Sequence, residues 1–299
     1  MITLASDFGS PYPAAMRGVV HRRTTGQVQV SDVAHDLPRQ DTRQAAFWLR
    51  FVLPEYPPAV HCVVVDPGVG TTRDALVIRA GDHALVGPDN GVLLPPARAL
   101  AAADGETHPG RAPRSAGGAT DERDASRIEV FTVEVENPAS ATFHGRDVFA
   151  PTAADVFETG VDGLDALDAL QPTSDYEDLV LPRATVGETD EESPKDTDEG
   201  GLRGDTAEGE VLVVDDFGNA VTNVPGSFLA GRLGETVRVV GPERERTAPA
   251  TETFASVPTG EPLVTVGSHG YVECDVNRGR GAEAFGLGAG DAVSLTVLD

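Results

Sequence analysis

The apolar positions of this chain fall into short runs separated by turn residues, and the character of those runs changes part-way along. Met1–Ala5, Val28–Val33, Val60–Val65, Ala75–Val86 and Glu129–Val135 are strand-like and rich in β-branched residues. Between them, Ala14–Arg22, Arg43–Leu53 and Ala150–Glu158 are compatible with helices. This alternation predicts an α/β amino-terminal domain over residues 1–182, a Rossmann-like layered sheet with helices on both faces. Within it, residues 104–127 are polar and rich in Gly, Pro and Ala, the composition expected of a disordered surface insertion. Residues 183–209 read as an acidic linker, with seven acids between Glu188 and Glu199, a solvated spacer without chemistry of its own. Beyond it, Val211–Asp215, Val237–Val240, Leu263–Val266, Tyr271–Val276 and Ala292–Leu298 alternate with Gly- and Pro-rich turns. They predict a small all-β, barrel-like domain over residues 210–299.

Charge narrows the setting. At 299 residues the chain can bury two cores, and its net charge is −25, from 48 Asp plus Glu against 23 Lys plus Arg. Lys195 is the single lysine. Acids spread along the whole chain, with so little lysine, suit a cytoplasm of molar salt, where the Debye length shrinks to about 3 Å and self-repulsion is screened. A halophilic origin is the expectation, against that of an ordinary acidic protein. The same charge argues against nucleic acid as a partner, because binding there rests on basic phosphate contacts. Cys62 and Cys274 lie in apolar runs and read as buried thiols, without disulfide or zinc spacing. With no signal segment and no apolar run of membrane-spanning length, a soluble cytoplasmic protein without membrane partners is expected.

Candidate chemistry centres on Val-Asp66-Pro67-Gly68-Val69-Gly70-Thr71-Thr72-Arg73. A carboxylate ending a buried strand faces the crevice where open α/β sheets bind ligands. The glycines that follow let the backbone turn tightly enough for Arg73 to fold back towards Asp66. A second cluster, Thr142-Phe143-His144-Gly145-Arg146-Asp147, supplies a histidine from another loop. Taken singly, Asp66 could be a turn residue, Arg73 a partner in a surface ion pair with Asp74, and His144 a structural histidine. Their combination at one sheet edge points to a polar catalytic site.

Six segments carry a resemblance: Thr3–Gly9, Val33–Pro38, Val65–Gly70, Gly87–Gly91, Thr142–Asp147 and Phe217–Asn223. They occur in the same order as in the S-adenosylmethionine hydroxide adenosyltransferases, the S-adenosylmethionine hydrolases related to the fluorinase and chlorinase, and the chain resembles that family throughout, two insertions excepted. The resemblance implies an enzyme that cleaves S-adenosylmethionine to adenosine and L-methionine, with water attacking C5′. It gives Asp66, Arg73 and His144 the catalytic part, Asp66 or His144 taking the proton and Arg73 fixing the carboxylate. Asp7 would hold the ribose hydroxyls, though a helix cap would use the same residue; the Ser10-Pro11-Tyr12-Pro13 loop is shorter than in most relatives and lacks a second acid. Asp215 would take the substrate ammonium, with Phe217, Asn219 and Asn223 around it, although Phe-Gly-Asn between two strands also makes a plain hairpin turn. Ser268 would bind the methionine carboxylate and the strand from Glu273 to Asn277 would border the adenine. His269 stands where the fluorinase has an arginine, and the resemblance assigns it no role.

No metal, nicotinamide or phosphate-binding signature is present, so S-adenosylmethionine is expected as substrate without a further cofactor. Halide transfer is the neighbouring alternative, since a salt-rich cytoplasm offers chloride. Halogenating relatives have a tyrosine in place of Asp66, and an anionic Asp66 would repel chloride by about 1 kcal/mol at about 4 Å even when well screened. A non-catalytic binder of S-adenosylmethionine is the other alternative, and it would not need Asp66, Arg73 and His144. The resemblance further implies a homotrimer with the substrate between neighbouring subunits.

Overall fold

The structure, a computed structural model, describes residues 1–103, 128–135, 140, 142–187 and 205–298. The expected insertion at 104–127 and most of the acidic spacer lie outside the described residues. Two compact units divide between Leu181 and Pro182.

The first unit is a seven-stranded sheet. Its strands are β1 (Ile2–Ser6), β2 (Val30–Ala34), β3 (Val60–Val64), β4 (Ala75–Ala80), β5 (His83–Pro88), β6 (Ile128–Val133) and β7 (Leu170–Pro172), in the order β2-β1-β3-β5-β4-β6-β7. β2, β1, β3 and β5 run parallel, whereas β4, β6 and β7 add antiparallel pairs. The expected layered α/β unit is there, and parallel strands make up about half of its sheet. The apolar run Ala75–Val86 is not one strand but the β4–β5 hairpin, turned at Gly81 and Asp82.

Alternate residues of the central strands feed two cores. Ile2, Leu4, Cys62, Val64, Val77 and Val86 pack against α1 (Tyr12–Arg23) and a helix at Ala150–Thr159. Ala5, Val63, Leu76, Ile78 and Leu85 pack on the other face against α2 (Thr42–Val52) and α3 (Leu94–Ala103). The Ala150–Thr159 helix is therefore α4 in chain order. Period-two burial on both faces explains the unbroken apolar strands. α2 starts at Asp41, whose carboxylate accepts from Gln44 N at 2.9 Å and from Gln44 Nε2 at 2.7 Å.

The second unit is antiparallel. β8 (Thr185–Gly187) pairs with β9 (Thr206–Val214), so strand structure reaches into both ends of the span expected as linker. The remaining strands are β10 (Ala220–Pro225), β11 (Thr236–Val240), β12 (Glu245–Pro249), β13 (Pro262–Val266), β14 (Tyr271–Val276) and β15 (Ala292–Leu298), ordered β12-β11-β15-β9-β10-β14-β13. A bridge between Ala250 and Val264 brings the two ends of this path together, leaving a nearly closed barrel-like sheet around one apolar core. The short helix α5 (Gly281–Phe285) covers part of β14. Cys62 and Cys274 are free and buried. Among the described residues, no helix is long and apolar enough to cross a membrane.

Candidate active site

The chain passes from β1 to β2 on one side and then to β3 on the other, so the carboxyl ends of β1 and β3 form the switch point at which open α/β sheets place their ligands. Ser6 pairs with Val64, which sets Asp7 and Asp66 just past neighbouring strand ends. Asp66 is nearly enclosed, its side chain 6% exposed, and its Oδ1 accepts from Arg73 Nη1 at 2.8 Å and from Gly68 N at 3.1 Å. Arg73 returns through a tight turn held by Thr71 Oγ1 donating to the Gly68 carbonyl at 2.7 Å. The guanidinium lies directly over Gly68, where a Cβ would come within 2.7 Å of Arg73 Cζ. Only a residue without a side chain lets the arginine reach the carboxylate by this route.

Asn90 braces the same loop from β5. Its Nδ2 donates to the Val65 carbonyl at 2.8 Å, and its Oδ1 accepts from Val92 N at 3.2 Å. Asp89 beside it accepts from Glu177 N at 2.8 Å. Burial, ahead of the nearby acids Glu177 and Asp74, pushes the Asp89 carboxyl up from its ordinary value. The Gly-Pro-Asp-Asn-Gly turn carries the signal for this brace, but nothing in its pattern says which carbonyl it would hold.

His144 opens a π-helical turn, Gly145–Phe149, that runs into α4. Gly145 abuts Val64 at the end of β3 and Met16 of α1, bringing His144 to the Asp66 end of the sheet. Its ring stands edge-on to Phe149. Arg146 and Asp147 pair with each other at 2.6 and 2.7 Å, and the Arg146 guanidinium holds the Asp147 carboxyl below its usual range. The Asp7 and His144 loops meet through three rings: Phe8, Tyr12 and Phe143 pack edge to face with centroids 5.3–6.2 Å apart. Tyr12 forms this apolar wall without having been singled out by the sequence.

Asp7 spends Oδ2 on Gln40 N at 2.7 Å, where Gln40 has a φ of +58°. The carboxylate thus holds a strained loop in place, and its remaining lone pairs suit ribose hydroxyls. Behind it, Ser6 Oγ meets His35 Nδ1 at 2.7 Å, His35 Nε2 meets Asp32 Oδ1 at 3.0 Å, and Arg17 pairs with Asp32. Burial acts to raise the Asp32 carboxyl, but the bonds from His35 and Arg17 outweigh it and hold it low.

The other residues implied by the resemblance gather in the second unit. Asp215 closes the β9–β10 turn, accepting from Asn219 N at 2.8 Å on Oδ1 and from Asn219 Nδ2 at 3.1 Å on Oδ2. The hairpin reading of Phe-Gly-Asn is therefore correct as structure, and the carboxylate still has lone pairs for an ammonium. Phe217 at the tip is 79% exposed. Asn223 ties β10 to Glu210 N at 2.9 Å and to the Pro182 carbonyl at 3.2 Å. Ser268 is exposed in the β13–β14 turn. Glu273 accepts from His269 Nε2 at 2.6 Å, while His269 Nδ1 accepts from Tyr271 N at 3.3 Å. This pattern fixes the Nε2–H form of the imidazole and makes it the partner of Glu273. Asn277 gives its amide to the Val257 carbonyl at 2.7 Å. Asp66, Arg73, His144 and Asp7 share one sheet edge; Asp215, Phe217 and Asn219 share one turn; Glu273, Ser268 and His269 share one hairpin. Among the described residues, no group of three or more His, Cys, Asp or Glu is arranged to hold a metal ion.

Comparison with known proteins covers both units. Residues 2–163 match the SAM hydroxide adenosyltransferase N-terminal domain and residues 209–294 match the C-terminal domain of the same family. A protein of Salinispora tropica named (R)-S-adenosyl-L-methionine hydrolase is 38% identical, over 99% of this chain and 97% of its own length. One of Thermus thermophilus with the same name is 39% identical, over 97% of each chain. The crystal structure of an uncharacterized conserved protein from Thermotoga maritima superposes with a TM-score of 0.73 at 29% identity, covering 99% of this chain and 100% of that one.

Proposed function

The chain belongs to the SAM hydroxide adenosyltransferase family, and from that premise we propose that it hydrolyses S-adenosylmethionine to adenosine and L-methionine. The observation that carries the reading is the Asp66–Arg73 pair at the carboxyl end of β3, on the sheet edge that also bears Asp7 and His144. The sulfonium already makes methionine a good leaving group, so the protein has to place water in line with C5′ and receive one proton. Water's oxygen forms the bond to C5′ as the C5′–S bond breaks, with its electron pair returning to sulfur. Asp66, fixed by Arg73, orients the water and His144 relays the released proton. The wall of Phe8, Tyr12 and Phe143 limits competing water beside it. Asp7 holds the ribose diol, Asp215 and Asn219 the ammonium, and Ser268 the carboxylate, while Glu273 and Asn277 belong to the border of the adenine subsite. No cofactor beyond the substrate enters the scheme.

The same reading takes the working protein to be a homotrimer whose sites are completed by neighbouring subunits, in a salt-rich cytoplasm. An exposed Phe217 and Ser268, each on a turn tip, support sites completed by something outside the unit that bears them. The test is incubation with S-adenosylmethionine in multimolar KCl made up in ¹⁸O-water. Adenosine bearing ¹⁸O at the 5′ oxygen is the expected product. 5′-Chloro-5′-deoxyadenosine, or substrate bound and unchanged, would sink the proposal.

A further inference from the structure

We propose that Asp275 is a second acid of the ammonium subsite, one that releases its proton to solvent when a cationic amino group docks on Asp215. The inference rests on the substrate reading above and deepens it. Ala220 pairs with both Val214 and Cys274, so the next residues towards the turn stand side by side: Asp215 just after β9, Asn219 just before β10 and Asp275 on β14. Ala220 and Cys274 point into the barrel core, and the three polar residues therefore share the opposite face. Asn219 holds Asp215 by two hydrogen bonds. Asp275 has no such partner: it is 0% exposed, and both carboxyl oxygens lack a hydrogen bond.

An acid in this state needs an explanation, because an apolar residue would fill the position without the cost of an unmet polar group. Among the described residues, no cation acts on it. Leu263 faces it from β13, its register partner, and α5 closes over it at Gly281, whose Cβ position lies 2.7 Å from Asp275 Cα. Arg280, at the start of that helix, gives its guanidinium to the Asp216 carbonyl at 3.3 Å and to Glu283 at 3.0 Å. The charges that act on Asp275 are Glu273 on its own strand, which His269 partners, and Asp215 across the turn. Burial first, and then these two acids, push its carboxyl up to about 8, so the free protein carries it un-ionised at neutral pH.

An ammonium on Asp215 changes that balance. It cancels the repulsion from Asp215 and adds an attraction, both of which favour the ionised form. The O–H bond of the Asp275 carboxyl breaks, the proton passes to the buffer, and the ligand amine stays protonated. A ligand that requires the ionised acid meets a competent protein only in the deprotonated fraction. For a carboxyl near 8 that fraction is about one-hundredth at pH 6 and about one-tenth at pH 7, a range in which the ligand amine stays protonated, so affinity should rise about tenfold between pH 6 and pH 7.

Calorimetric titration with S-adenosylhomocysteine, which carries the same amino-acid head on an unreactive thioether, tests this. It is run at pH 7 in phosphate and in Tris, both in multimolar KCl. The heats should differ by the release of about one proton per site, and Kd should fall about tenfold from pH 6 to pH 7. Asp275→Asn, a neutral isostere, should bind without proton release and with a Kd that is flat over this range. Asp275→Ala provides the same readout without a retained amide. Native binding with no proton release, or release that persists in both variants, overturns the inference while leaving the hydrolase reading intact. If S-adenosylhomocysteine does not bind and S-adenosylmethionine yields no adenosine, the substrate reading falls and takes this one with it.

Discussion

At the scale of single residues, the site depends on one absent side chain as much as on those present. Asp66 and Arg73 are legible in the sequence because a β-branched run ending in Asp-Pro-Gly defines both a strand end and a turn. That Gly68 is the floor on which the guanidinium rests was not legible, since spacing gives reach but not the path taken. Gly68→Ala should therefore act on the arginine and leave the fold alone: the clash meets the far end of a flexible side chain. We expect kcat to fall about 10- to 100-fold, the scale of a roughly 1 Å misplacement at a catalytic group. Asp66→Asn, which also removes the charge, should fall further. Turnover assays paired with thermal melts check this, and a Gly68→Ala protein with native kcat would remove Arg73 from the catalytic scheme. Asp275 was illegible for a different reason. A strand alternates, so the pattern assigns it to the outer face, whereas β13 beside it and α5 packed over it bury that face.

At the scale of elements, the strands were read well where β-branched residues dominate and badly where turns are short. The β4–β5 hairpin merged into one run because its turn is two residues between apolar flanks. α3 went unread because Leu94-Pro95-Pro96 looks like a breaker, although prolines at a helix start cost no backbone bond. The central strands also bury something the period does not explain: His61 of β3 lies between Thr3 of β1 and His83 of β5, at 2.8 and 2.9 Å. A neutral His61 ring satisfies this row, one of its nitrogens donating and the other accepting. Burial, then His83, lowers the His61 pKa from 6.5 to about 3. Above pH 6.5 neither the folded nor the unfolded chain protonates this residue, and its contribution is intact. Between 6.5 and 3 the unfolded chain takes a proton that the native one refuses, so stability drains by about 1.4 kcal/mol per pH unit. Asp275 has the opposite sign, because its raised carboxyl favours the native state as pH falls from about 8 towards 3.8. The two slopes oppose each other below pH 6.5, and the pH profile of the native protein alone cannot separate them. Denaturant unfolding of native protein against His61→Gln does so: their stability difference should shift by about 1.4 kcal/mol per unit between pH 6.5 and 5, against the native chain. A constant difference would mean that His61 is not held neutral.

At the scale of the whole molecule, charge decides where these elements hold together. A net charge of −25 leaves the surface ion pairs, such as Arg23–Asp155 and Arg79–Glu129, far outnumbered by unmatched acids. Such pairs add little each, while like-charge repulsion acts over the full surface and is relieved when the chain expands. Added KCl should therefore stabilise this protein, and its dose dependence says by which route. Screening is largely complete once the Debye length has fallen from about 10 Å at 0.1 M to about 3 Å at 1 M. If self-repulsion dominates, Tm should climb by about 5–15 °C over that interval, a few kcal/mol at about 2–4 °C each for a chain of this size, and then level off. A climb that continues to 3–4 M would instead place the effect in exclusion of salt from the protein surface, which strengthens apolar burial without saturating. Melts in KCl from 0.1 to 4 M distinguish the two, and a Tm that is flat or falling with salt would refute the halophilic reading of the composition outright. The same series belongs with every activity measurement on this chain. A site assembled from several loops reports its true chemistry only at a salt concentration where the acidic scaffold beneath it is folded.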